Sequence, residues 1–236
     1  MASIAENILQ VRDRISSACR AFDRLPETVN LLAVSKTCPG VSVRAAFDAG
    51  QRHFGENYVQ EALGKIAELS DLRADLCWHL IGPLQSNKAR EVAAHFDWVH
   101  GIDRMKLAQR LSDLRPPELA PLQVCLQVNI SGEDSKSGVA PEAALALARQ
   151  VAALPRLKLR GLMAIPEPAA DLAAQREPHR ALRRLLEAMN AEGLALDTLS
   201  MGMSADLVAA VAEGATWVRV GTAIFGSRAP KPEAAA

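Results

Sequence analysis

The sequence predicts an α/β fold, a (β/α)8 TIM barrel in which parallel strands close into a cylinder and each strand is followed by a helix. Three observations indicate this fold class. Short apolar runs typical of buried strands alternate with helical segments, eight such runs occur, and a length of 236 residues suits one barrel domain. A doubly wound open sheet is the alternative architecture, although no GxGxxG motif follows any predicted strand.

The first element is an extra amino-terminal helix that precedes the barrel. Apolar residues recur from Ile4 to Phe22 at alternating spacings of four and three, and Ser3 with Glu6 forms a capping box. The predicted strands follow at 31–36, 52–55, 76–81, 97–101, 122–129, 158–164, 197–201 and 216–220. The predicted helices between them are 41–49, 58–69, 86–95, 104–114, 141–153, 175–192 and 204–213. We expect a single domain over 1–228 and a disordered tail over 229–236.

Composition excludes several classes of protein. Lys+Arg and Asp+Glu are both 27, so the balanced charge argues against a nucleic-acid partner. The first residues lack the pattern of a signal peptide, and no apolar stretch approaches the length of a membrane span, so a cytoplasmic protein without a membrane partner is expected. Cys19, Cys38, Cys77 and Cys125 are far apart in sequence, which predicts reduced, mostly buried thiols and no metal site.

A lysine stands at the end of the first predicted strand, in the stretch LLAVSKTCPG (31–40). Strand alternation places Leu32, Val34 and Lys36 on one face, and barrels build their active sites at the C-terminal ends of the strands. A lysine removed from water has a lowered pKa, and its amine can then form a Schiff base with an aldehyde or ketone. The alternative is a structural lysine whose stem packs while its head reaches solvent or a carboxylate.

Two stretches near the end of the sequence predict a phosphate site. In LSMGMSADLVAAV (199–211), Ser204 precedes an apolar-periodic helix as an N-cap residue does, and the first amides of that helix can bind an anion. In WVRVGTAIFG (217–226), Gly221 allows close backbone approach and Thr222 adds a hydroxyl donor. Each stretch alone is also typical of an ordinary cap or turn. Barrels, however, often bind phosphate between the loops after strands seven and eight.

Arg219 shares a strand face with Gly221, and it is expected either to point into the barrel mouth or to pair with a core carboxylate. The first and last strands are neighbours in a closed barrel. Lys36 and the phosphate site therefore predict a ligand that carries both a carbonyl and a phosphate. Pyridoxal 5′-phosphate is such a ligand, and a sugar phosphate in a Schiff-base aldolase is another.

Six sequence blocks resemble the pyridoxal phosphate homeostasis protein family, also called YggS-like or PROSC-like. The blocks extend from about Leu31 to Gly226: LLAVSKT, HFGENYVQEALGK, WHLIGPLQSNKAR, VNISGEDSKSGV, LRGLMAIP and LSMGMSADLVAAVAEGATWVRVGTAIFG. The resemblance implies a barrel like the N-terminal domain of alanine racemase, with pyridoxal phosphate held by Lys36 as an internal aldimine.

The resemblance also implies further cofactor-binding residues. They are Asn57, Ser200, Met201, Ser204, Arg219, Gly221 and Thr222. The serine, glycine and threonine residues among them would surround the phosphate, Arg219 would face the pyridine nitrogen, and Asn57 and Met201 would lie beside the cofactor. His79 is a further candidate, for which a hydrogen-bonded core histidine is the favoured interpretation.

We expect this protein to bind the cofactor without catalytic turnover, and to buffer or deliver it with indirect effects on amino-acid metabolism. An arginine can only donate, so it would weaken the electron sink of the pyridine ring. The sole tyrosine is Tyr58, and the sequence ends soon after Gly226 without the second domain that the racemase resemblance requires for its tyrosine base. A lysine without an opposing acid–base partner cannot readily protonate both faces of a carbanion. A small amino-acid racemase or lyase is the alternative.

The expected partners are pyridoxal phosphate and, transiently, apo forms of enzymes that use it, and the expected state is a monomer. Lys136 lies in the polar stretch GEDSKSG (132–138), which follows the fifth predicted strand. A solvated surface lysine is the favoured interpretation, and the alternative is that Lys136 accepts the aldehyde transiently during delivery.

Overall fold

Eight parallel strands close into a barrel in a computed structural model that describes residues 2–132 and 137–226. Each strand pairs with the next one along the chain, and β8 pairs with β1 to complete the cylinder. The predicted fold class is confirmed. Lys136 and the predicted tail 229–236 lie outside the described residues.

The strands are β1 Asn30–Val34, β2 His53–Glu56, β3 Cys77–Leu80, β4 Trp98–Ile102, β5 Leu122–Gln127, β6 Leu157–Met163, β7 Thr198–Ser200 and β8 Trp217–Val220. The helices are α1 Ile4–Ala21, α2 Gly40–Asp48, α3 Val59–Glu68, α4 Ala89–His95, α5 Met105–Leu114, α6 Pro141–Ala152, α7 Leu172–Ala191, α8 Leu207–Ala212 and α9 Thr222–Phe225. Within the described residues, no helix combines the length and apolar character that crossing a membrane requires.

The extra helix α1 forms as the sequence predicts. The Ser3 hydroxyl accepts from the Glu6 amide while the Glu6 carboxylate accepts from the Ser3 amide, which completes the capping box. The buried face of α1 carries Ile8, Val11 and Ile15, and it packs against α2, α8 and α9. This helix therefore covers the seam where the first and last strands meet.

Two boundaries differ from the prediction near the candidate site. The first strand ends at Val34 rather than at residue 36, because Ser35 and Cys38 close a turn in which the Cys38 amide donates to the Ser35 carbonyl. Helix α8 begins at Leu207 rather than at residue 204, so Ser204 is not its N-cap. A turn comes first because the Asp206 carboxylate accepts from the Met203 amide and holds the intervening residues outside the helix.

The barrel interior carries an unusual set of polar and aromatic side chains. Parallel barrels are usually filled by branched aliphatic residues. Here the Trp98 ring lies against His79 and Trp217, with ring centroids 5.3 and 5.8 Å away. His100 and Arg219 are also buried inside the barrel. Because buried polar groups need partners, this interior must be organised by hydrogen bonds as well as by packing.

Candidate functional site

A cavity of about 320 Å³ opens at the C-terminal end of the barrel, where this fold builds its active sites. Its volume suits a small cofactor or metabolite. Its lining residues are Val34, Lys36, Asn57, Ile81, Ile165, Met203, Ser204, Ala205, Arg219, Gly221 and Thr222. These residues contribute one amine, one guanidinium, one carboxamide, two hydroxyls and several apolar side chains.

Lys36 lies just beyond β1 and reaches the cavity because of strand alternation. Val34 and Lys36 both line the cavity, while Leu32 and Val34 pack together inside the barrel with Ile81 and Trp217. The Lys36 side chain is half-buried. The turn beyond β1 therefore places a half-buried lysine at the wall of the cavity.

The backbone on either side of Lys36 is held by a buried ion-pair network. Lys65 of α3 is only 5% exposed, and its Nζ donates to the Ser35 carbonyl at 2.6 Å. The same Nζ contacts Glu56 Oε1 at 2.8 Å and Glu61 Oε1 at 2.6 Å. Glu61 Oε1 in turn accepts from the Thr37 amide at 2.5 Å. One ammonium thus holds the peptide before Lys36 directly and the peptide after it through Glu61.

Thr37 adopts a left-handed backbone conformation with φ 64°, which is rare for a β-branched residue. Such a conformation persists only where the surroundings determine it, and here the hydrogen bond to Glu61 does so. Burial raises the pKa of Glu56, and this outweighs the opposing effects of Lys65 and of the Ser35 hydroxyl, which donates at 2.6 Å. The backbone position of Lys36 therefore depends on the buried ion pairs of Lys65, and burying the Glu56 carboxylate in that network costs free energy.

The loop after β7 contributes Met203, Ser204 and Ala205 to the wall of the cavity. His179 of α7 is buried, and its Nε2 lies 2.9 Å from Asp206 Oδ2. The Met203 amide donates to Asp206 Oδ1 at 2.7 Å. Burial alone would raise the pKa of Asp206, but the hydrogen bonds from His179 and Met203 outweigh it and lower that pKa. Asp206 thus fixes the turn that presents Ser204 to the cavity.

Arg219 projects from β8 to the cavity and is held by neutral oxygens. Its Nη1 donates to the Ser200 carbonyl at 2.6 Å and to Ser200 Oγ at 2.9 Å, and its Nη2 donates to the Ala164 carbonyl at 2.9 Å. Its hydrogen bonds among the described residues all go to these neutral oxygens, in contrast to the predicted alternative of a core ion pair. Burial lowers its pKa to about 10, which leaves Arg219 charged at neutral pH.

A chain of buried side chains continues from Arg219 into the barrel. Ser200 Oγ lies 2.8 Å from His100 Nδ1, His100 Nε2 lies 3.0 Å from His79 Nδ1, and His79 Nε2 lies 3.0 Å from His53 Nδ1. Burial lowers the pKa of His100 to about 3, with the charge of Arg219 as a second cause. Burial is also the main cause that lowers the pKa of His79 and of His53. The three imidazoles are therefore neutral.

Six of the eight cofactor-binding residues predicted from the sequence line the cavity. Ser200 and Met201 do not line it: Ser200 is bound to Arg219 and His100, and Met201 is buried in the hydrophobic core. His79 lies deeper, in the hydrogen-bonded chain. Sequence reasoning missed Lys65, whose contacts with Ser35 and Glu56 no local pattern could reveal.

The fold and cavity define a class of protein, a (β/α)8 barrel with a cavity at the C-terminal ends of the strands that is lined by one lysine. The profile of a family described as "Alanine racemase, N-terminal domain" matches residues 2–229, nearly the whole chain. This match agrees with the closed parallel barrel described above.

Proteins with similar sequences and structures identify the family within this class. The "Pyridoxal phosphate homeostasis protein" of Pseudomonas aeruginosa is 63% identical over 228 residues, 97% of each chain. The Escherichia coli K12 protein of the same description is 54% identical over 229 residues, 97% of this chain and 98% of that one. The structure of PipY from Synechococcus elongatus PCC7942 with PLP bound has a TM-score of 0.83 and 42% identity, and the match covers 95% of this chain and 100% of that one. The chain belongs to the pyridoxal phosphate homeostasis protein family, as its sequence blocks predict.

Proposed function

We propose that this protein binds pyridoxal phosphate covalently through Lys36, and that it buffers or delivers the cofactor in the cytoplasm as a monomer without catalytic turnover. The observation that carries the proposal is the shared cavity, which is lined by Lys36 together with Ser204 and Thr222 from the loops after β7 and β8. The names of the similar proteins and the PLP-bound PipY structure support it.

The residues present fit the chemical groups of this cofactor. The Asn57 side chain lines the cavity, and its Oδ1 is buried without a hydrogen-bond partner among the described residues, as expected for an atom that a ligand completes. The hydroxyls of Ser204 and Thr222 can donate to a phosphate, and the first amides beyond Gly221 have no partner within their short helix. Ser204, Gly221 and Thr222 line the same cavity as Lys36.

Arg219 fits the pyridine nitrogen as a hydrogen-bond donor. Its three hydrogen bonds use three of its five N–H groups, and the guanidinium lines the cavity. When bound, pyridoxal phosphate supplies an aldehyde for an amine and an electron sink whose strength rises if the pyridine nitrogen is protonated. A permanent cation at that nitrogen opposes its protonation, so Arg219 favours retention of the cofactor over chemistry on it.

The wall of the cavity also lacks a second acid–base group. Among the described residues that line it, Lys36 is the sole amine, and there is no carboxylate, histidine or tyrosine. Tyr58 is half exposed and lies outside the cavity. Proton transfer on both faces of a substrate carbon would need a partner opposite the lysine. This arrangement supports binding and delivery over racemisation.

A small amino-acid racemase or lyase is the second candidate, and the match to the alanine racemase N-terminal domain family favours it. Incubation with amino acids in heavy water separates the two functions. A binding protein is expected to exchange the α-proton no faster than free pyridoxal phosphate does. Exchange well above that background, abolished in Lys36→Ala, would establish the enzyme instead.

Borohydride reduction of the purified protein followed by peptide mass mapping tests the proposal. We expect a phosphopyridoxyl adduct on Lys36 and its loss in Lys36→Ala, whereas the surface variant Lys88→Ala keeps it. A visible absorbance band before reduction would also separate this protein from a sugar-phosphate aldolase. An adduct on another residue, or none after incubation with the cofactor, would refute the role of Lys36.

Delivery requires a second measurement, namely the reactivation of an apo-enzyme that uses pyridoxal phosphate. We propose that Lys136 takes the aldehyde transiently as it leaves Lys36. Lys136→Ala is then expected to slow the transfer while cofactor binding stays intact. A transfer rate equal to that of the unmodified protein would remove Lys136 from the pathway.

A further inference from the structure

A group of metal-ligating side chains lies at the opposite, amino-terminal end of the barrel. His53 begins β2, and Cys77 and His79 share one face of the neighbouring strand β3, where His53 pairs with Cys77. His79 Nε2 lies 3.0 Å from His53 Nδ1 and 3.4 Å from Cys77 Sγ. The potential ligand atoms of the three residues all lie within 4.8 Å of one another.

These distances are close to those around a shared ion, and the two contacts at His79 Nε2 cannot both be regular hydrogen bonds. An imidazole nitrogen carries either one proton or one lone pair, so His79 Nε2 can form only one regular hydrogen bond with its two neighbours. Around a tetrahedral zinc ion, two nitrogens lie about 3.3 Å apart and a nitrogen and a sulfur about 3.6 Å apart. The spacings at His79 are within a few tenths of an ångström of these values.

We propose that His53, Cys77 and His79 form a binding site for a divalent transition-metal ion. Two imidazoles and a thiolate favour zinc among the common ions. On binding, the ion displaces the proton of the Cys77 thiol, which passes to solvent, and the sulfur coordinates as a thiolate. Three protein ligands leave a fourth position for water.

The surroundings hold the three ligands in place. His79 Nδ1 lies 3.0 Å from His100 Nε2, so a proton on Nδ1 can be donated to His100 while Nε2 coordinates the ion. The His79 ring stacks on Trp98 at an interplanar angle of 12°, and the His53 ring packs edge-on against Trp217. These contacts fix the orientation of the two imidazole rings, as the neighbours of metal-binding histidines commonly do.

The cluster can be reached from outside the barrel. His53 lines a cavity of about 420 Å³ on this side of the molecule, and both His53 and Cys77 are partly exposed. Asp97 places a negative charge near enough to act on both residues, although Arg73 beside it partly offsets that charge. A cation can therefore enter from this cavity without passing through the cofactor site.

Metal titration of chelator-treated protein tests the site. We expect one Zn²⁺ per chain by equilibrium dialysis, and Co²⁺ is expected to give a thiolate-to-cobalt charge-transfer band. Cys77→Ser and His53→Gln should each weaken zinc binding by at least about tenfold, because even the loss of a partner behind a metal ligand costs that much. Cys19→Ala is the matched control, because it removes a buried thiol that lies on α1.

Two results would overturn the proposal. One is the absence of stoichiometric Zn²⁺ binding and of the Co²⁺ charge-transfer band in the unmodified protein. The other is zinc affinity in folded Cys77→Ser and His53→Gln equal to that of Cys19→Ala, with folding checked by circular dichroism. The two variants change different strands, so one remains informative if the other fails to fold. Both results are read from metal binding alone, with no cofactor added, so they can fail while Lys36 still binds the cofactor.

Discussion

Replacing Lys65 with methionine tests how the turn that carries Lys36 is held in place. Lys65→Met keeps the length and packing of the side chain but removes the buried ammonium that contacts Ser35, Glu56 and Glu61. Glu61 is 30% exposed and can regain water, whereas Glu56 is fully buried. The variant therefore leaves a buried carboxylate without its cation.

The expected cost follows from that geometry. Removing one partner of a buried ion pair typically destabilises a protein by about 3–5 kcal/mol. Glu56 also keeps the hydroxyl of Ser35 as a donor, and its pKa is already raised by burial, so protonation relieves part of the penalty. We therefore expect the lower end of this range, about 3 kcal/mol. For a chain of this size that corresponds to a fall in Tm of roughly 6–12 °C.

Urea denaturation at neutral pH measures the loss in the free energy of unfolding. Two further variants show whether the loss comes from the buried ion pair. Lys88→Met removes a half-exposed ammonium 3.9 Å from Glu91, and it should change stability by less than about 0.5 kcal/mol. The double variant Lys65→Met with Glu56→Gln removes both buried charges. It should recover more than half of the loss, because replacing a whole buried pair is often nearly neutral.

The stability of Lys65→Met at acid pH provides a second test of the buried ion pair. An uncompensated Glu56 has a folded-state pKa raised above its unfolded value, so the folded state takes up its proton first as the pH falls. The deficit of Lys65→Met should therefore shrink as pH is lowered towards the unfolded value of 4.5. Equal stability of Lys65→Met and Lys88→Met, or no recovery in the double variant, would refute the proposed network.

Two further predictions concern the loop after β7. Gly202 has φ 89°, and an added Cβ would lie 2.3 Å from the Cβ of Ala210, so Gly202→Ala should destabilise the protein by roughly 1–3 kcal/mol in urea denaturation. Gly193→Ala, with φ 92° but open space around it, should cost less. Asp206→Asn weakens the contact to His179 and should cost about 1–3 kcal/mol at pH 7. Because the pKa of Asp206 is lowered, its contribution is present above pH 3.8 and lost below it, so this difference should narrow in urea denaturation at lower pH.

The sequence predicts much of the fold because strand alternation and helical periodicity are local properties. The same locality explains why Lys36 and Thr222 are found from the sequence: each follows a strand end, where a barrel gathers its ligand-binding residues. Lys65 escapes prediction because it is an ordinary residue of an amphipathic helix, and only the fold brings it to Ser35. Ser200 is predicted beside the phosphate, yet its hydroxyl contacts Arg219 inside the barrel, since one residue of register decides which way a strand residue points.

The polar interior of the barrel allows the cavity wall to carry the charged side chain of Arg219, which purely aliphatic neighbours could not stabilise. Arg219 would be costly to bury without partners, and a carboxylate would neutralise it. Two carbonyls and Ser200 Oγ hold it instead, and that hydroxyl is fixed in turn by His100. Because the imidazoles behind it are neutral, the positive charge of Arg219 remains available at the cavity wall. The histidine chain therefore fixes a cation at the wall of the cavity, and the same chain runs on through His79 to His53, two residues of the proposed metal site.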